Sequence, residues 1–246
     1  APPLFSHPGG TDQVAHEGIQ GIGSNLGYLT LRPVEEALTL CRELKPDLLV
    51  FTGDFVNGDD AELDRLAHLL RELAGLRPPL GAFGIRGNHE HYADPERVTA
   101  RMEAYGFRML VNAHHLFELD GAKLALIGTD NTGMRQRYAD LPRAMAGLDP
   151  EAFRILLTHD PTFWERAVMG RVDIPLTLAG HTHGGQVGLE WGPIKVSTSS
   201  LVYNRWAGLY REGEQYLYIN RGLGTTGPPI RLGIPPEVTE ITLRRA

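Results

Sequence analysis

The sequence predicts an α/β sandwich, and three observations carry that expectation. Short apolar runs alternate with helical stretches, five of those runs end in glycine, acid, amide or imidazole residues, and two further runs near the end follow one another without a helix between them. The first helix is expected over "PVEEALTLCREL" (33–44), where Val34, Ala37, Leu38, Cys41 and Leu44 share one face and Pro33 suits the first turn. "DLLVFTGD" (47–54) reads as a buried strand ending in glycine and an acid. "AELDRLAHLLRELAGL" (61–76) repeats Leu63, Leu66, Leu70 and Leu73 at helical spacing before the breaker "RPPLG". Further strands are expected in "LGAFGIRGN" (80–88), "KLALIGTD" (123–130), "FRILLTHD" (153–160) and "IPLTLAGH" (174–181). The runs "YLYINRG" (216–222) and "EVTEITLRR" (237–245) lie close together, so part of the sheet is expected to be antiparallel. With no repeat, low-complexity tract or linker, residues 1–246 read as one domain, with 1–27 atypical.

Composition narrows the chemistry. The single cysteine, Cys41, allows no internal disulfide and no thiolate cluster, so any metal must be held by imidazole, carboxylate and amide oxygen. A formal charge of -6 with no Lys/Arg run longer than "RR" gives no basic footprint for nucleic acid. Nothing spans a membrane, and the opening "APPLFSHPGG" lacks the basic and apolar regions of a signal peptide. The location stays open between cytoplasmic, peripheral to a membrane, and a mature form whose targeting segment has been removed.

The carboxyl ends of the strands of an α/β sheet form one rim, where ligands bind. Here those ends carry Gly53-Asp54, Gly87-Asn88-His89, Asp130, Thr158-His159-Asp160, and Gly180-His181 followed by His183. Asp54 offers a carboxylate able to bridge two ions, Asn88 a neutral amide oxygen, and His159, His181 and His183 neutral imidazoles. Such a mixed shell suits Mn, Fe or Zn better than Ca or Mg. Two such ions about 4 Å apart would clamp a phosphate and activate a water for in-line displacement. Taken singly, "GD" is an ordinary turn, a lone histidine is more often structural, and "GNHEH" is a polar turn. The joint order and strand-end placement favour a metal centre.

The blocks "FTGD", "IRGNHE", "LLTHD" and "LAGHTHGGQ" resemble, in order, the last four motifs of the calcineurin-like metallophosphoesterase superfamily. "GHTHGGQVG" and the stretch from "GLYREGEQYLYINRG" to "PPEVTEITL" are similar to a subgroup of bacterial phosphodiesterases often tied to a membrane surface. The likeness runs from about residue 28 to the end. It implies a four-layer αββα sandwich with two mixed β-sheets and a phosphodiesterase that uses a metal-activated hydroxide at a dinuclear centre. Asp54 would bridge, with Asn88, His159 and His181 on the second ion and His183 on the first. His89 would assist the departing oxygen, and Asp160 would either orient a ligand histidine or cap the turn at Pro161. The implied substrate is a small-molecule or lipid-headgroup phosphoester, with peripheral membrane contact.

The superfamily's opening Asp-x-His block should fall near "HEGIQGIGSNLG" (16–27), where Ile19 and Gly21 stand instead. Three explanations stay open. His7, Asp12, His16 or Glu17 supplies surrogate ligands, "FSHPGG" being similar to Phe-Ser-Asp-Leu-His-x-Gly with two residues removed. Alternatively, the chain is a degenerate member that binds one ion or a phosphate ligand without efficient turnover. The last explanation is that the opening segment departs from the native chain. A metal-dependent amidohydrolase, which also uses His-x-His, would place that pair on the first strand of a barrel rather than after residue 180. "GLGTTG" (222–227) follows a strand and suits the wall of a substrate groove. Trp164, Trp191 and Trp206 are expected in the core or in that wall.

Overall fold

The computed structural model describes residues 18–22, 31–132, 138–191 and 194–244. Its first sheet has the order β13-β1-β2-β3-β4, formed by β1 (Gly18–Ile22), β2 (Leu48–Phe51), β3 (Ala82–Gly84), β4 (Arg108–Met109) and β13 (Thr239–Thr242). All neighbours are parallel except β13, which runs antiparallel to β1. The second sheet combines β5 (Ala113–Leu119), β6 (Ala122–Gly128), β7 (Phe153–Leu157), β8 (Leu176–Ala179), β11 (Gly208–Glu212) and β12 (Gln215–Ile219) in the order β11-β12-β8-β7-β6-β5. Its four inner strands are parallel and its two edge pairs antiparallel. A separate ribbon pairs β9 (Gly188–Trp191) with β10 (Ile194–Ser197).

Side-chain alternation along the strands builds the layers. On β2, Leu49 and Phe51 face α1 (Leu31–Leu44), α2 (Leu63–Gly75) and α4 (Pro95–Tyr105), packing on Val34, Leu38, Leu70 and Met102. Leu48 and Val50 face the opposite way and meet Leu126, Ile155 and Leu178 of the second sheet. That sheet then turns Ala125, Ile127, Leu156 and Leu217 toward Leu141 and Ala144 of α5 (Leu141–Met145) and toward Trp164 and Val168 of a wide helical turn. Three apolar interfaces therefore separate helix, sheet, sheet and helix, because a parallel strand buried on both faces must be apolar on both. The fold is the four-layer αββα sandwich with two mixed sheets.

Several local expectations are refined. Leu44 is exposed at the end of α1, while Val34, Ala37, Leu38 and Cys41 are buried. The two C-terminal runs are not partners of each other. β12 lies inside the second sheet and β13 closes the edge of the first, so the antiparallel pairings are β11 with β12, β5 with β6 and β13 with β1. Trp164 and Trp206 are buried, but Trp191 is 76% exposed on the ribbon, because β9 and β10 belong to neither large sheet and leave that face to solvent.

Candidate metal centre

The rim forms where β2, β3, β7 and β8 end. Beyond β2 the chain turns through Gly53 at φ +94° and Asp54 at φ +60°. A Cβ on Gly53 would lie 2.5 Å from the Gly87 nitrogen, and one on Gly87 would lie 2.7 Å from His159 Cε1 and nearer still to Asp54 Oδ1. Only residues without a Cβ let these two loops approach so closely. Asp54, His181, His183 and Gln186 all hold positive φ, a left-handed geometry that costs about 1 kcal/mol or more for each non-glycine residue.

Asp54, Asn88, His159 and His181 converge. The buried His159 donates through Nδ1 to the Thr52 carbonyl at 2.6 Å, which turns Nε2 toward the rim. Around that Nε2 stand Asn88 Oδ1 at 3.0 Å, Asp54 Oδ2 at 3.1 Å and His181 Nδ1 at 3.0 Å. One ligand atom each from Asp54, His159 and His181 lies within 4.8 Å of the other two. Asp54 Oδ1 accepts the His89 backbone N–H at 3.1 Å, which orients the carboxylate. His183 is buried nearby, outside this group of three, and its Nδ1 has no hydrogen-bond partner. His89 sits half-buried at the mouth, where Nδ1 donates to the Asn57 carbonyl at 2.5 Å and the ring meets Tyr92 edge to face.

Electrostatics separate the histidines. Burial alone would raise the Asp54 carboxyl, but the charge and hydrogen bond of His159, with His89 and His181 beyond, hold it well below the usual carboxylate range. Burial opposes charge on His159 too, yet Asp54 lifts it to about 9. His181 is pushed down to about 4 by burial and by His159, and His183 to about 3 chiefly by burial. Two imidazoles held below their usual range and an amide oxygen thus stand around the Asp54–His159 pair. A divalent cation held there would take the place of the proton shared by that pair. The donor set, the His159 ring orientation fixed by Thr52 and the unpartnered Nδ1 of His183 fit such an ion.

Four residues not singled out by sequence reasoning shape the site. Glu90, wholly buried in α3 (Asn88–Tyr92), accepts the backbone N–H groups of Asp54 (2.9 Å), Phe55 (2.6 Å), Val56 (3.4 Å) and Gly87 (2.6 Å). Burial and the Asp54 charge push its carboxyl up, while the amides of Gly87 and Asp54 pull it back. His91 binds Asp130 Oδ1 at 2.7 Å and stacks on Tyr138, and Asp130 Oδ2 lies 3.5 Å from Arg86, so Asp130 serves this cluster. Gln186 receives the Thr226 amide at 2.5 Å, and Arg231 donates to the carbonyls of His183 (3.2 Å), Arg221 (2.9 Å) and Gly224. These bonds tie the "GLGTTG" loop to the His181–His183 hairpin. Asp160 accepts the Thr162 N–H at 2.9 Å and hydroxyl at 2.7 Å, capping the turn at Pro161.

The missing first block can be located in part. β1 pairs Ile19 with Leu48 and Gly21 with Val50, so both lie within the strand rather than at its rim end. The chain following Ile22 lies outside the described residues, as do His7, Asp12, His16 and Glu17.

Fold and rim define a metallophosphatase-like domain with an aspartate, asparagine and histidine centre suited to a divalent cation. The chain belongs to the calcineurin-like phosphoesterase family, whose model matches residues 27–185. It is 35% identical over 221 residues to the uncharacterized metallophosphoesterase YkuE of Bacillus subtilis (strain 168), covering 88% of this chain and 74% of that protein. It is 29% identical over 225 residues to phosphodiesterase YaeI of Escherichia coli (strain K12), covering 88% and 77%. Among solved structures, the Thermus thermophilus sulfate thiohydrolase SoxB shares the fold, with TM-score 0.55 at 15% identity over 85% of this chain and about half, 52%, of that one. No helix among the described residues is long and apolar enough to cross a membrane.

Proposed function

We propose that residues 1–246 form one phosphoesterase domain that hydrolyses a phosphodiester at a centre of divalent cations, Mn, Fe or Zn, held by Asp54, Asn88, His159, His181 and His183. Bound there, the ions supply charge for the phosphoryl oxygens and activate the attacking water. The chain's own residues do the rest. Thr52 fixes the His159 tautomer, and the His89 amide aims Asp54. Asn57 anchors His89 through Nδ1, leaving Nε2 to hold a proton for the departing oxygen. The observation that carries the reading is the convergence of Asp54, Asn88 and His181 on His159 Nε2, beside the unpartnered Nδ1 of His183. The preference for a diester rests on likeness to the Escherichia coli phosphodiesterase. The substrate class is a small-molecule or lipid-headgroup phosphoester.

The test is metal content of protein purified without chelators, together with turnover of bis-(p-nitrophenyl) phosphate against p-nitrophenyl phosphate. About two ions per chain, diester preference and a loss of about 10²-fold or more in kcat for His89→Ala support the proposal. A second reading, one cation and no efficient turnover, is favoured by the fact that the compact group holds Asp54, His159 and His181 without His183. One ion per chain and no diester hydrolysis in added Mn would select it.

A further inference from the structure

We propose that Glu90 is a positioning residue whose buried carboxyl sets the affinity of the centre for its cation by fixing the loop that presents Asp54. The inference rests on the reading of Asp54 as a ligand. Glu90 touches none of the rim's ligand atoms, but it is fully buried beneath them, and both of its oxygens are engaged. Oε2 joins the amides of Asp54 and Gly87, thereby linking the loop after β2 to the loop after β3. Oε1 takes Phe55 and Val56.

Without an acceptor at that point, four inward N–H groups would be stranded in a region closed to water, each costing about 1–3 kcal/mol. The left-handed turn at Gly53 and Asp54 has its own conformational cost, so it persists only while this acceptor holds the amides in line. Once the turn is held, the His89 amide binds Asp54 Oδ1 and leaves Oδ2 facing His159. The chain of effect therefore runs from Glu90 through the backbone to the direction of the Asp54 carboxylate. Partners that orient ligands in this way change metal affinity about 10- to 100-fold when altered.

Glu90→Gln tests the idea, because the amide nitrogen that replaces one oxygen would face two N–H donors. The metal-free 246-residue chain is titrated calorimetrically with Mn²⁺ alone, and hydrogen exchange is followed across residues 52–57 and 86–90. The expected result is a folded variant with Mn²⁺ affinity reduced about 10- to 100-fold and faster exchange at those loops. A folded Glu90→Gln protein that melts earlier yet binds Mn²⁺ with wild-type affinity would mean a merely structural role and overturns the proposal. If that variant does not fold, Glu90→Asp takes its place, since it keeps the charge but is too short to span both loops; wild-type affinity there is equally fatal. Asp54→Asn separates the two claims. Unchanged affinity in Asp54→Asn sinks the ligand assignment, whereas loss there with none in the Glu90 variants sinks only the positioning role.

Discussion

Replacing Gly87 with alanine adds one methyl group at the tightest point of the rim. That carbon would lie 2.7 Å from His159 Cε1, 2.8 Å from the Asp54 nitrogen and closer still to Asp54 Oδ1. Two of the three neighbours belong to Asp54, whose loop Glu90 holds, and the third to an imidazole pinned by Thr52, so neither side can yield cheaply. Overpacking of this kind costs about 1–3 kcal/mol, which for a chain of this length lowers Tm by about 2–6 °C. Because the displaced atoms are proposed ligands, Mn²⁺ affinity should fall at least about 10-fold as well. Gly75→Ala is the matched control. It ends α2, has nothing within 4 Å of its added carbon, and should be neutral or slightly stabilising, by up to about 1 kcal/mol. Calorimetric melting and Mn²⁺ titration of both variants provide the readout. A Gly87→Ala protein with wild-type Tm and affinity would refute the claim that the loops are locked together.

Other outcomes follow from the rest of the structure. Trp164→Ala should cost about 3–5 kcal/mol in urea denaturation, since the indole fills the interface between the second sheet and its helices. Burial pushes the Cys41 thiol from 9.0 up to about 11, so its stabilising contribution, roughly 2–3 kcal/mol, is complete below pH 9 and lost as pH rises through 11. Stability of the wild type should accordingly fall more steeply than that of Cys41→Ala over that range, and equal slopes would contradict the assignment. Trp191→Gln, on the exposed face of the ribbon, should change unfolding free energy by no more than about 0.5 kcal/mol.

Much of this architecture is legible in residue order. The run Leu48–Phe51 is apolar at every position because each of its faces meets a different layer, and the proposed ligands stand just beyond the ends of the buried strands. Pairing over long separations is not legible. The partnership of β13 with β1 rather than with β12 depends on which edge the returning chain reaches, and no periodicity encodes that. Glu90 was hidden for a related reason. It stood in the "IRGNHE" block with no role of its own, and its four backbone partners emerge only once the loops after β2 and β3 are adjacent in space. Asp130, which the sequence places at a strand end without a ligand role, is held by His91 and Arg86. The ribbon of β9 and β10 contributes no buried strand, so its exposed Trp191 was indistinguishable from a core tryptophan.

The seating of Thr239–Thr242 against Gly18–Ile22 also orders events during synthesis. A nascent polypeptide emerges from the ribosome with Gly18–Ile22 long before the segment that will shield its open flank, so the first layer stays unfinished until Thr239–Thr242 has been made. A product that stops before Thr239 would leave that flank bare, with unpaired amides ready to recruit another strand. Premature termination should therefore yield aggregates rather than a shorter, working phosphoesterase.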